Sequence, residues 1–523
     1  MLVMQAMRTT GVLAVTIAVT WSSEARAAEV PVSNAAELQA AIANAAPGDE
    51  IILAPGEYLL TSKLSCTANG MPDQPIEVRA ETLGEALIKF DTVEGFHVQG
   101  THWYIHHLDI EGVCANDSDC EHAFHVTGDA EHTWIHHNRV YGFNAHIKAN
   151  GTDTGPMGER VWPDDVVVEY NEFFNETVRN TENPVTPIDV VGGRRWLVRG
   201  NYIHDFAKGL GNNISYAAFL KGNSRDGVFE RNLVVCEQLH SGQVRLGLSF
   251  GGGGSSPDSI CEDATCNPEH QNGIMRNNII ARCPADVGIY VNEGANSLIY
   301  NNTLYDTAGI DMRFASTTGE VRNNLLMGDI DNRDGATANF ATNVEMVSQV
   351  DFEAWFIDPE TLDFGLVDGT VFVNQGEPLA EVIDDYCTND RDDGNHDIGA
   401  LEYDRVNTCD TSVPFEPMGE SPGDGDGDGD GDGDPSGDGD GDGDGDPSGD
   451  GDGDGDPTGD GDPTGDGDGD PTADGDDFSD SGETGGESSA TGDDAGCSCT
   501  TERTGGFGFA GLIGLALLLR RRE

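Results

Sequence analysis

Lys221 and Arg245 are the residues whose types best suit chemistry. The chain has five lysines, at 63, 89, 148, 208 and 221, so a lysine that closes an apolar strand is informative. A lysine close to a second cation can lose its charge and act as a general base. A guanidinium can hold a carboxylate through two parallel hydrogen bonds and stabilise the enolate formed when the neighbouring α-proton leaves. That pairing suits β-elimination from a uronate. A third group of residues could hold the sugar. Strand alternation with Phe96, Val98, Phe124, Val126, Ile188, Val190, Ala218, Leu220, Ile289, Val291, Ile310 and Met312 inside places a polar column outside. It contains His97, Gln99, His125, Thr127, Asp189, Phe219, Lys221, Tyr290, Asn292, Asp311 and Arg313. Of these, His97, His125, Asp189, Tyr290, Asn292 and Arg313 are expected to contact substrate. Lys148 lies near the same row. In VRLGLSF (244–250), Arg245 also faces out if Leu246 and Leu248 face in.

The elements that must position these residues repeat. IHHLDI (105–110), IHHNRV (135–140), VEYNEF (168–173), VRGNYI (198–203), FERNLV (229–234), MRNNII (275–280), IYNNTL (299–304) and VRNNLL (321–326) share one pattern, with Asn or a substitute in fourth place. Recurrence at this spacing signals a repeat architecture. The segments are β-branched, aromatic and leucine-rich, so each reads as a strand. A second strand usually precedes it, as in FHVQG (96–100), FHVTG (124–128) and GIYVN (288–292). One coil of this size cannot bury its apolar face, but a stack of coils can. Asn at a fixed corner tolerates left-handed backbone angles, and its amide can bond to backbone and to the next Asn. At the N-terminal end, Asn34-Ala-Ala-Glu37 has capping-box character, and Leu38 and Ile42 lie one helical turn apart. A short helix there would cover the first coil, whose open end needs a cap.

Other motifs compete. Gly247-Leu-Ser249-Phe-Gly251 matches G-x-S-x-G, but the strand–turn–helix elbow that motif needs is replaced by a glycine-rich loop. Gly251–Gly254 has no Lys-Ser/Thr after it and is not a phosphate loop. His106/His107 and His136/His137 recur one coil apart, with His122 and His125 nearby, and offer metal ligands. The pairs Asp164/Asp165 and Asp384/Asp385 resemble the acids of inverting glycosidases, but such a pair must come from different coils to reach the separation of roughly 6.5–9.5 Å.

The spacing of coils resembles a right-handed parallel β-helix of the pectate-lyase type. The run Lys221-Gly-Asn-Ser-Arg-Asp-Gly-Val-Phe-Glu-Arg231-Asn232-Leu-Val-Val-Cys236, followed by Val244-Arg245, is similar to the catalytic stretch of the alginate lyase and chondroitinase B family of polysaccharide lyases. ELQAAIANAAPGDEIILAPGEY (37–58) and PIEVRA (75–80) resemble that family's opening coils. The resemblance implies a right-handed all-β solenoid, with Lys221 as base and Arg245 as acid or carboxylate partner. It also implies Ca2+ to neutralise the uronate. The departure is at Ile214–Leu220, which contains no acid where the family has two glutamates. Asp189, one coil earlier, is the carboxylate left to bind a metal.

Domain limits follow from composition. Residues 1–27 have Arg8, an apolar run over Gly11–Trp21 and Ala25-Arg26-Ala27, which reads as an export signal. Residues 28–410 form the β-helix domain. Residues 411–495 are dominated by Gly-Asp repeats broken by Pro, with no apolar surface to offset ordering entropy, and are expected to be a disordered, extended linker. Cys497-Ser-Cys499, the apolar run Gly505–Leu519 and Arg520-Arg521-Arg522 resemble the C-terminal sorting tail of myxobacterial surface proteins. That resemblance implies sorting machinery as a partner, contact with membrane through this segment alone, and display at the outer cell surface.

Eleven cysteines fit an oxidising compartment. Cys114/Cys120 and Cys261/Cys266 are close enough in sequence for loop clips. Cys236/Cys283 and Cys387/Cys409 are further candidate pairs, with Cys66 left over, and the sequence alone does not fix the pairing. The net charge of −66 excludes a free nucleic-acid binder, which needs a basic footprint. An extended acidic polysaccharide is the expected partner. Three functions stay open: a β-eliminating lyase, a non-catalytic glycan-binding or cell-surface protein, and a glycoside hydrolase.

Overall fold

The computed structural model describes residues 28–403 and Thr411, except 253, 254, 256, 257, 368, 370, 392 and 393. The export segment 1–27, the linker beyond Thr411 and the tail 496–523 lie outside the described residues. The chain forms a right-handed parallel β-helix. Each full coil contributes one strand to each of three sheets. The first sheet has twelve strands, from Glu29–Val32 to Thr337–Ala341. The second has ten, from Gly56–Leu60 to Leu325–Leu326. The third also has ten, from Leu64–Cys66 to Asp329–Arg333. All neighbours in these sheets are parallel, and inward residues stack in register, as in Phe96–Phe124–Ile147–Ile188–Ala218. These residues belong to one continuous core that runs the length of the solenoid.

The Asn-centred segments differ from the expected single strands. Each spans two strands and the corner between them. Val198 lies in Leu197–Arg199 of the first sheet, for example, and Ile203 in Tyr202–His204 of the second. The left-handed residue is the one before the Asn: His107, His137, Tyr170, Gly200, Arg231, Asn277, Asn301, Asn323 and Thr342 all have φ between 52° and 61°. A left-handed non-glycine residue costs about 1–2 kcal/mol, so the corner needs compensation.

The Asn amides supply it. Asn138, Asn171, Asn201, Asn232, Asn278, Asn302, Asn324 and Asn343 form a ladder in which each Nδ2 donates to the next Oδ1 at 2.9–3.0 Å. The backbone N–H of each of the first seven donates to that same oxygen. Nδ2 also reaches back to a strand carbonyl, as from Asn201 to Val168 at 2.9 Å.

The N-terminal helix covers Ala35–Ala43. Asn34 Oδ1 accepts from the Glu37 amide at 3.0 Å, and Glu37 accepts from the Ser33 amide at 2.8 Å. Leu38 and Ile42 are buried in the solenoid core. At the other end the chain leaves the solenoid after Ala341. It forms a helix at Gln349–Trp355 and an antiparallel pair, Phe356–Asp358 with Asp363–Leu366. Phe352, Phe356, Phe364, Phe372 and Leu401 pack on Tyr202, Leu233, Val235, Ile279, Ala281 and Tyr305, which face outward from the second sheet. This strap closes one outer face.

Disulfides join Cys114–Cys120, Cys236–Cys283 and Cys261–Cys266. Cys387 is also disulfide-bonded, and Cys66 is free and buried. Among the described residues no helix is long and apolar enough to cross a membrane.

Candidate active-site groove

The outer face of the third sheet carries two rows of side chains in register. One row runs His97–His125–Lys148–Asp189–Phe219–Ser249–Tyr290–Asp311. The next contains Thr127–Asn150–Val191–Lys221 and, further along, Asn292–Arg313–Arg333. His97, His125, Asp189, Tyr290, Asn292, Arg313 and Lys221 therefore share one face, as alternation predicts.

Lys221 is the most enclosed cation on that face, at 3% exposed. Its Nζ lies 4.5 Å from the centroid of the Phe219 ring, a cation–π contact. Gly252 passes over its stem so closely that a Cβ there would be 3.1 Å from Lys221 Cδ. The 251–271 insertion is latched beside it by Glu269, which accepts from the Gly222 amide at 2.7 Å and from Ser255 at 2.6 and 2.9 Å. Asn223 Nδ2 donates to the Pro268 carbonyl at 3.0 Å. The insertion thus walls the groove where the lysine stands.

Arg245 departs from its expected place. It is opposite Ser215, six positions before Lys221 on the neighbouring strand. At about 3.3 Å per residue the two are roughly 20 Å apart along the sheet. Its side chain is 1% exposed and turned away from the groove. Nε donates to the Gly242 carbonyl at 3.1 Å, Nη1 to the carbonyls of Cys236 and His240, and Nη2 lies 3.0 Å from His240 Nδ1. The cause is a break in alternation. Leu246 joins Tyr216, Phe219, Val287 and Tyr290 in an apolar cluster outside the sheet, while Leu248 and Phe250 enter the core. The strand changes face at Gly247, where a Cβ would meet the Gly288 carbonyl at 2.1 Å.

The C-terminal half of the groove is tied by ion pairs. Arg313 donates to Asp334 at 2.5 Å and to the Tyr290 hydroxyl at 3.2 Å, and Asn292 also reaches that hydroxyl. Arg333 pairs with Asp311. Burial pushes the Asp311 carboxyl above its ordinary value despite that partner.

Asp189 is 4% exposed and accepts from Lys148 Nζ at 3.0 Å. A single carboxylate already facing an ammonium does not fit calcium, which takes six to eight oxygens. The metal role expected for Asp189 is therefore not supported by its surroundings.

At the N-terminal end the rows bring Glu94 between His97 and His125. His125 Nδ1 is 2.9 Å from Glu94 Oε1, and His97 Nδ1 is 3.7 Å from Oε2. Lys63 Nζ donates to Oε2 at 2.7 Å. Burial would raise the Glu94 carboxyl, but its contacts with His125 and Lys63 hold it far below the usual range. Burial, with His125 and Lys63 adding to it, pushes the His97 imidazole down to about 4. Glu94 was missed because the sequence reading starts this strand at Phe96. Extending the alternation back by two positions would put Glu94 on the core side with Phe96 and Val98; the pattern breaks at Gly95, so periodicity does not find it.

The remaining motifs are structural in their surroundings. His106 stacks on His136 at 4.3 Å and His107 on His137 at 5.3 Å, outside the first sheet and its corner. Ser249 Oγ is buried and donates to the Gly251 carbonyl. Asp164 and Asp165 hold Arg195. Asp384 holds Arg231, and Asp385 accepts from the amides of Cys387, Asn389 and Glu402.

A family model for the Pel9A-like right-handed β-helix region matches residues 17–159. Among solved structures the chain is similar to the crystal structure of pectate lyase Pel9A, at 14% identity over 70% of this chain and 90% of that one, with a TM-score of 0.49. It is also similar to an alginate lyase from Paenibacillus sp. str. FPU-7, at 17% identity over 61% and 95%, TM-score 0.37. A rhamnogalacturonan lyase matches at 12% identity over 62% and 87%, TM-score 0.42. No curated protein matches the chain.

Proposed function

We propose that this lyase-like β-helix cleaves an extended uronate-containing polysaccharide by β-elimination, with Lys221 as the base. The observation that carries the reading is the setting of Lys221: a buried amine on the groove face, walled by the 251–271 insertion. Abstraction of an α-proton needs a neutral amine. The lysine takes the C5 proton of the uronate, the electron pair moves into the C4–C5 bond, and the glycosidic C4–O bond breaks. The leaving oxygen takes up a proton from solvent or a neighbouring acid. His97, His125, Tyr290, Asn292 and Arg313 contact the sugar chain on either side. Arg245 acts as a positioning residue that holds the 236–242 segment. No step is routed through calcium.

Each cleavage leaves a conjugated C4–C5 double bond. Incubation with alginate, pectate, rhamnogalacturonan and chondroitin sulfate is expected to raise absorbance in the near ultraviolet with at least one of them. A flat trace on all four, with retention of polymer in a pull-down, would favour the glycan-binding reading instead.

The same reading puts the domain outside the cell, with residues 1–27 as export signal and 496–523 as sorting tail. The disulfides support an oxidising location. Surface proteolysis of intact cells is expected to release the β-helix domain; complete protection of it would count against display.

A further inference from the structure

We propose that Glu94, His97 and His125 form a binding site for a divalent transition metal of the zinc type at the N-terminal end of the groove. Among the described residues, this is the group whose three potential ligand atoms all lie within 4.8 Å of one another. A tetrahedral centre with bonds of about 2.0–2.2 Å holds its donors roughly 3.4 Å apart. The observed separations of 2.9 and 3.7 Å bracket that value.

The outer nitrogens make the stronger argument. His125 Nε2 is 2.7 Å from Asn150 Oδ1, an acceptor, so it carries a proton. In the neutral ring His125 Nδ1 then presents a lone pair to the Glu94 carboxylate, which also presents lone pairs. Such a contact is repulsive unless a cation stands between them or the ring takes a second proton. His97 has the same plan: Nε2 is 3.1 Å from Thr127 Oγ1, and Nδ1 faces Glu94. Metal-binding imidazoles commonly have this form, with one nitrogen on the ion and the other anchored by an outer hydrogen bond.

Two further observations point to a ligand. Lys63 already places a cation on Glu94, with its own side chain 43% exposed. His122, opposite Glu94 in register and 5.2 Å from the His125 ring, is 91% buried by virtue of its 9% exposure, and its Nδ1 has no hydrogen-bond partner. Two imidazoles with one carboxylate favour zinc-like ions over calcium, which prefers oxygen. In the sheet order His125 is three strands from Lys221, and Glu94 and His97 are four, so metal binding can be read apart from turnover.

The test uses the full chain, stripped with a chelator and titrated with zinc in millimolar calcium to saturate the acidic tail. A chromophoric chelator reports affinity, and elemental analysis reports stoichiometry. One zinc per chain is expected. His97→Ala/His125→Ala should abolish it, Asn150→Ala should weaken it by about 10–100-fold, and His106→Ala/His136→Ala should leave it unchanged. Lys63→Met should tighten it, because the competing ammonium is gone. Zinc affinity equal in the wild type and the His97/His125 double variant would overturn the proposal. If that double variant does not fold, Lys63→Met decides: unchanged or weaker binding overturns it.

Discussion

Lys221→Ala should leave a folded protein whose turnover of its uronate polymer falls by about 10²–10⁴-fold, the usual contribution of a positioned general base. The side chain sits on the outer face of the third sheet, away from the solenoid core, so the backbone ladder Leu220–Phe250 is untouched. Circular dichroism should superimpose on the wild type while the ultraviolet signal collapses. Lys221→Arg should be equally inactive, because a guanidinium does not lose its proton. Arg245→Ala provides the contrast. It leaves the buried carbonyls of Cys236 and His240 without their donor, so its main effect should be on the melting temperature. A Lys221→Ala enzyme with wild-type turnover would sink the site assignment and leave the fold intact.

Asn201→Ala should cost on the order of 3 kcal/mol of stability or more, read by urea unfolding. Asn201 Oδ1 accepts from both the backbone and side-chain nitrogens of Asn171. Its Nδ2 donates to Val168 and Asn232. Each buried polar group left without a partner costs about 1–3 kcal/mol, and several are stranded at once. Asn343→Ala, at the end of the ladder, strands fewer groups and should cost less. Equal, small losses at both positions would show that the amides only fill space.

Much of this was legible in the sequence, for physical reasons. The β-helix was readable because stacking forces inward residues to be apolar on every coil, and the eight segments display it. The outward row from His97 to Arg313 was readable because strand alternation holds at those positions. Arg245 was misplaced because Gly247 carries a change of face that no periodicity announces, and the contact with Gly288 that requires it comes from the next coil. The Asn was correctly placed at the corner and its stacking foreseen. The left-handed angle belongs to its predecessor, because the amide must point into the stack while the residue before it turns the chain. The strap over the second sheet had no sequence signature: its aromatic residues have neither the repeat nor a long period.

That strap also orders events in time. Its docking surface is assembled from coils between Tyr202 and Tyr305, whereas the strap itself is made later in synthesis. The solenoid can grow coil upon coil, as repeat proteins do, but its second sheet keeps a wet, greasy flank until the last sixty or so residues of the domain arrive. A chain that stops after Ala341 presents that flank to water and invites association. The strap thus covers, with residues from late in the domain, an apolar flank that the coils between Tyr202 and Tyr305 have already built.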